Sequence, residues 1–174
     1  RIDCVAFTGS VATGKKIAMK CAERVARINL ELGGKDPFIV CPDVADSIDV
    51  AAKGGAWAAY LNAGQVCTSA ERFYVHESVY DDYVAAFVDH TETLNVGDPF
   101  DAATDIGPMV SAPQRDKVVA QVEAAVGAGA EVLTGGDRAG QDAGHFYSPA
   151  VVTGLPAETD LLREETFGPV APIV

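Results

Sequence analysis

Cys67 stands in Asn62-Ala63-Gly64-Gln65-Val66-Cys67-Thr68-Ser69, a polar stretch containing a glycine, after an alanine-rich helical pattern and before a strand-like run. A thiol at a loop of this kind is accessible, and its thiolate is a strong nucleophile. Taken alone, a cysteine is more often a small packing residue. Glu31 ends the apolar run Ile28 to Leu32 and is followed by Gly33-Gly34-Lys35. In an apolar cleft its carboxylate would be pushed toward neutrality and could take a proton from water or a thiol; in the open it is a solvated charge.

Two further stretches could hold a ligand. Phe7-Thr8-Gly9-Ser10-Val11-Ala12-Thr13-Gly14 joins a strand pattern to a helix pattern. Backbone N–H groups and the helix dipole make such a turn a seat for phosphate, although an ordinary βα turn has the same composition. Gly9, Gly14 and Lys15 also fit most of a P-loop, but Lys16 stands where the magnesium-binding Ser or Thr belongs. Near the other end, Glu164-Glu165-Thr166-Phe167-Gly168-Pro169 offers a carboxylate that could accept hydrogen bonds from sugar hydroxyls, or a solvated corner.

The elements that must position these residues alternate. Ile2 to Phe7 reads as a strand, Lys15 to Ala26 as a helix with Ile17, Ala18, Cys21, Ala22 and Val25 on one face, and Ile28 to Leu32 and Phe38 to Cys41 as strands separated by Gly33 to Pro37. Asp46 to Leu61 reads as a helix capped by Asp46 or Ser47, with Ile48, Ala51, Ala52, Trp57 and Ala59 available to the interior. Arg72 to His76 is a strand, Ser78 to His90 a helix, Pro113 to Val126 a helix with Val118, Val119, Val122 and Val126 inward, and Glu131 to Thr134 a strand. Gly135 to Gly144 reads as a solvent-exposed connection. The expected class is α/β.

Composition narrows the partners. With 174 residues and 48% of them apolar, the chain can bury a sizeable core. Lys and Arg number 13 against 25 Asp and Glu, and the resulting charge of −12 disfavours nucleic acid and anionic membrane surfaces. The four cysteines lack the close pairing of a zinc knuckle, so no metal is expected. Cys4, Cys21 and Cys41, each among apolar residues, are expected to be reduced and buried, in a cytoplasmic setting. Nothing reads as a signal peptide or membrane span. Arg1 at the start and the apolar Ala171 to Val174 at the end suggest a piece of a longer chain.

In this order, Phe7-Thr8-Gly9-Ser10, Glu31-Leu32-Gly33-Gly34-Lys35, Gly64-Gln65-Val66-Cys67 and Glu165-Thr166-Phe167-Gly168-Pro169 closely resemble the aldehyde dehydrogenase superfamily across nearly the whole chain. The resemblance implies the end of a Rossmann-like cofactor-binding domain over residues 1–33 and most of the α/β catalytic domain over 34–174. It implies oxidation of an aldehyde to a carboxylic acid with NAD or NADP, through a thiohemiacetal and thioester on Cys67. Glu31 would be the base, which argues against relatives that pass the acyl group to coenzyme A. Ser10 matches a pyrophosphate contact, with Gly9 and Gly14 shaping its turn. Leu32 belongs near the nicotinamide carboxamide, and Glu165 and Phe167 match positions that hold the ribose and flank the ring. The N–H of Cys67 would supply half of an oxyanion hole. The other half, the adenosine site that separates NAD from NADP, and the strand arms of a homo-oligomer lie in segments of the family outside these residues. Ser69 replaces the second cysteine of the redox-switching relatives. Two other readings stand beside this one: an incomplete fragment acting only as a binding module, and a P-loop nucleotide-binding protein.

Overall fold

A computed structural model describes residues 2–139 and 144–174 and divides the chain into two compact units, Arg1–Gly34 and Lys35–Val174. Helices and strands alternate through both, so the class is α/β.

The first unit is one βαβ turn. Strand β1 (Cys4–Gly9) pairs in parallel with β2 (Arg27–Leu32), and helix α1 (Val11–Ala22) connects them. Helix α1 starts at Val11 rather than at Lys15. The side chain of Ser10 accepts a hydrogen bond from Thr13 N and so satisfies one of the free amides of the first turn. The helix stops at Ala22, short of Ala26, because Val25 adopts a left-handed conformation (φ 54°) and projects into solvent, 92% exposed. Val25 is therefore not on the apolar face that its spacing suggested. Cys21 is buried as expected, whereas Cys4 on β1 and Cys41 after β3 are exposed. Sequence neighbours alone do not bury a thiol: among the described residues β1 pairs with β2 alone, and Cys41 lies just past the end of its own strand.

The second unit repeats the βαβ idea and then extends it. Strands β3 (Asp36–Val40) and β4 (Ala70–Val75) pair in parallel, joined through a 3-10 turn, Pro42–Ser47, and helix α2 (Ile48–Tyr60). Helix α3 (Tyr80–Glu92) follows and packs on α2. After α4 (Ala112–Gly127), β5 (Glu131–Thr134) runs antiparallel to β6 (Ala150–Thr153), and the short helix α5 (Asp160–Arg163) leads to β7 (Val170–Pro172), parallel to β6. A bridge between Phe73 and Ile173 and bonds from Val174 N to Phe73 O and from Val75 N to Val174 O join β4 to the chain beyond β7. Strands β6 and β7 and helix α5 carry no periodic signal long enough to read in advance. Their sequences Ala150–Thr153 and Val170–Pro172 are buried throughout, and such runs lack alternation.

Two apolar clusters support this unit. Ala52, Ala56, Ala59, Phe73, Tyr83 and Phe87 centre one between α2, α3 and β4, while Val118, Val122, Ala150, Val152 and Leu161 centre the other under α4. Trp57 is not part of either: at 66% exposed it lies off the α2 stripe set by Ala52, Ala56 and Ala59. Val126 likewise turns outward at 46% exposed, although Val118 and Val122 on the same helix are buried. Ser47 caps α2 by position only, its hydroxyl donating back to Val44 O at 3.3 Å rather than accepting from the helix amides. Gly135 to Asp137 do not simply dangle in solvent, since Gly136 N donates to Ser148 O and Ser148 N to Asp137 O. The rest of that glycine-rich connection, residues 140–143, falls outside the described residues.

Candidate active site

Parallel pairing assembles the first group of site residues. In the β1–β2 register Thr8 stands opposite Glu31 and Gly9 opposite Leu32, so two motifs separated by over twenty residues end at one edge, the carboxyl ends of adjacent parallel strands. Ser10 follows at once and opens α1, with its hydroxyl donating to Thr13 Oγ1 at 3.1 Å. Gly14 is a helical residue rather than part of a turn. Its buried backbone faces Leu32, and a Cβ there would meet Leu32 Cδ2 at 2.7 Å, so glycine lets α1 lie against the end of β2. Glu31 is exposed at this edge. With the helix beginning at Val11, Gly9 to Lys16 is a strand end plus a helical turn, not the long phosphate-wrapping loop that a P-loop requires.

The second unit holds the candidate nucleophile, Cys67. Beyond Tyr60 the chain leaves α2 through three consecutive residues in the left-handed region, Asn62 (φ 53°), Ala63 (φ 56°) and Gly64 (φ 69°). Two of them carry a Cβ, and such strain persists only where surrounding contacts over-determine it. Those contacts are visible. Gln65 Nε2 donates to Asn62 O at 3.0 Å, Asn62 Nδ2 to Gln65 O at 3.2 Å, and Val110 N to Gln65 Oε1 at 2.8 Å. On the far side, Ser69 Oγ donates toward Ala58 O and Ala59 O at 3.0 and 3.2 Å, tying the loop to the last turn of α2. Between these tethers Cys67 is exposed, an accessible setting for a thiol.

The Glu165 to Pro169 segment is packed against this loop. A Cβ on Gly64 would run into the carbonyl of Gly168 and come within 2.8 Å of Pro169 N, so only glycine admits the approach. Phe167 is itself left-handed (φ 52°). Side chains hold its backbone from both sides. The Glu71 carboxylate accepts from Thr166 N at 2.7 Å and from Phe167 N at 2.9 Å, while Gln114 Nε2 lies 3.0 Å from both Thr166 O and Phe167 O. Lys117 Nζ donates to Glu165 O at 2.7 Å. Lys35 Nζ reaches Glu71 Oε2 at 2.9 Å and Thr166 Oγ1 at 2.8 Å. Burial pushes the Lys35 ammonium below its ordinary value, and the Glu71 carboxylate offsets part of that shift.

Sequence reading missed Glu71, Gln114 and Lys117. Glu71 falls just before the expected strand Arg72 to His76, so only the structure shows that it lies within β4 at 4% exposed, where a carboxylate needs partners. Gln114 and Lys117 sit on the first turns of α4, where polar residues usually face solvent, so nothing local singled them out.

The second unit thus carries an exposed thiol on a strained loop and a left-handed segment held by Glu71, Gln114 and Lys117, and the first unit a carboxylate and a helix N-terminus at parallel strand ends. The sequence model of the aldehyde dehydrogenase family matches residues 1–174, and the chain belongs to that family. It is 41% identical over 170 residues to a probable NADP(+)-dependent succinate-semialdehyde dehydrogenase of Sinorhizobium fredii, covering 98% of this chain and 34% of the relative. Among solved structures, an NAD-dependent aldehyde dehydrogenase from Sinorhizobium meliloti superposes with a TM-score of 0.95 at 42% identity, over 99% of this chain and 34% of that one. A betaine aldehyde dehydrogenase from Staphylococcus aureus in complex with NAD+ superposes with a TM-score of 0.94 at 35% identity, with the same coverage of 99% and 34%. The chain thus spans about a third of the length of these relatives.

Proposed function

We propose that this chain is the catalytic portion of an NAD(P)-dependent aldehyde dehydrogenase that forms carboxylic acids. The observation that supports this most directly is the convergence of the four motifs in pairs: Gly9, Ser10, Glu31 and Leu32 by strand register, Cys67 and Phe167 through the Gly64 and Gly168 approach. In this reading residues 1–33 end a cofactor-binding domain and 34–174 form most of the catalytic domain.

The first-unit corner suits a dinucleotide. Helix α1 is twelve residues long, has no acidic side chain in its first turn, and is opened by an exposed serine, the features that favour an anionic phosphate. Ser10 would take the pyrophosphate, with Gly9 permitting close approach and Gly14 admitting Leu32 against α1; by the family resemblance Leu32 in the first unit, and Glu165 and Phe167 in the second, match positions that contact the nicotinamide riboside. When bound, NAD or NADP supplies the acceptor for the hydride removed from the aldehyde carbon.

The protein's own groups do the rest. Cys67 gives up its proton, its thiolate bonds to the carbonyl carbon, and the carbonyl electron pair moves onto oxygen, where the Cys67 N–H donates to it. Loss of hydride from that carbon leaves a thioester on Cys67. Glu31 then removes a proton from water, the hydroxide adds to the thioester carbon, the carbon–sulfur bond breaks, and the acid departs as Cys67 thiolate is restored. The exposed Cys4 and Cys41 suit a reducing, cytoplasmic setting, and the assembled enzyme would be a homo-oligomer.

The test combines limiting thiol alkylation, mapped by mass spectrometry with and without NAD or NADP, and absorbance of the reduced nicotinamide with a short aldehyde. Preferential labelling of Cys67 and reduced cofactor that disappears in Cys67→Ala are the expected results. Equal labelling of the exposed cysteines with no turnover would leave only a binding module.

A further inference from the structure

The dehydrogenase reading assigns work to Glu165 and Phe167 but says nothing about what keeps them in place. Phe167 has a backbone conformation that residues bearing a Cβ avoid, so the segment does not hold its shape unaided. Three consecutive peptide groups are gripped by side chains, and the grip on the N–H side comes from one residue, Glu71. Its two oxygens are both engaged, Oε1 by Phe167 N and Oε2 by Thr166 N and Lys35 Nζ. The Lys35 and Glu71 side chains are 7% and 5% exposed. A buried pair of this kind is a poor way to gain stability, because desolvation offsets most of the attraction. It is an effective way to fix a direction, because a charged acceptor draws two adjacent amides to one point. Glu71 also lies four residues beyond Cys67, on the strand that leaves the nucleophile loop.

We propose that Glu71, locked against Lys35, is a positioning residue for the nicotinamide half of the cofactor: it fixes the Thr166 and Phe167 amides and thereby where Glu165 and Phe167 meet the riboside. The inference rests on the dinucleotide-binding reading above. Gln114 and Lys117 hold the carbonyls of the same peptides, so loss of Glu71 releases one side of the cage and leaves the other.

The test uses the full-length enzyme carrying the double substitution Lys35→Met with Glu71→Met, which removes both charges and fills their volume. Expected are a cooperative melting transition below that of the parent, because two amides lose their acceptor, unchanged cofactor-free alkylation of Cys67, and faster hydrogen exchange at the Thr166 and Phe167 amides. The KM for NAD or NADP should rise by on the order of a hundredfold, with the aldehyde KM much less affected, as displacement of a contact by about an ångström would give. Should the double variant fail to fold, Glu71→Gln carries the same test with a smaller shift, since its amide retains one acceptor oxygen. A folded variant with fast amide exchange and an unchanged cofactor KM overturns the proposal and reduces the pair to a structural contact. Failure of the unsubstituted enzyme to bind either dinucleotide overturns the functional reading and this inference with it.

Discussion

Gly64→Ala should unfold or distort the Cys67 loop, while Gly54→Ala ten residues earlier should stabilise the same unit. At Gly64 the backbone is left-handed (φ 69°), which costs an L-residue roughly 1–2 kcal/mol. The new methyl would also collide with Gly168 O and approach Pro169 N at 2.8 Å, and both are backbone atoms that cannot rotate away. Overpacking of this kind typically adds about 1–3 kcal/mol, so the sum is about 2–5 kcal/mol. For a domain of this size that corresponds to a fall in melting temperature of roughly 4–20 °C. Gly54 lies within α2, is exposed, and has no atom within 4 Å of where an added methyl would stand, so alanine there should add about 0.5–1 kcal/mol through helix propensity. Urea denaturation of both variants measures the two signs, and the alkylation rate of Cys67 reports whether the loop has moved. A Gly64→Ala protein within about 1 kcal/mol of the parent, with unchanged Cys67 reactivity, would refute the claim that this glycine is required by the approach of Gly168.

Other perturbations follow from buried polar groups. Burial raises the pKa of Tyr60, Tyr83 and Tyr147, so the folded state keeps protons that the unfolded chain releases above about pH 10. Stability is therefore full below that pH and should fall above it by about 4 kcal/mol per pH unit for the three together. Among the described residues the Tyr83 hydroxyl has no hydrogen-bond partner, so Tyr83→Phe should be neutral or slightly stabilising at pH 7 and should remove about a third of the alkaline slope in urea titrations. Glu71→Ala strands the Lys35 ammonium and two amides and should cost about 3–5 kcal/mol by the same assay. Ser69→Ala loses the hydroxyl tether to α2, for about 1 kcal/mol, and should broaden the reactivity of the Cys67 loop toward alkylating reagents. Mild peroxide should close no local disulfide at Cys67, because position 69 is serine; a reversible bridge seen by mass spectrometry would count against this.

Local sequence was enough to announce the alternation of strands and helices, because strand and helix periods are properties of near neighbours along the chain. The thiol-based oxidation chemistry was implied instead by the resemblance of the four ordered motifs to the aldehyde dehydrogenase family. Helix α4 and strand β5 were legible within a residue or so on this basis. Tertiary structure decided what depends on distant neighbours. The exposure of Trp57, Val126, Cys4 and Cys41 and the inward carboxylate of Glu71 follow from what packs alongside them. So do the roles of the glycines: Gly14 yields to Leu32 and Gly64 to Gly168, contacts that no spacing rule encodes because each partner is 18 or more residues away along the chain.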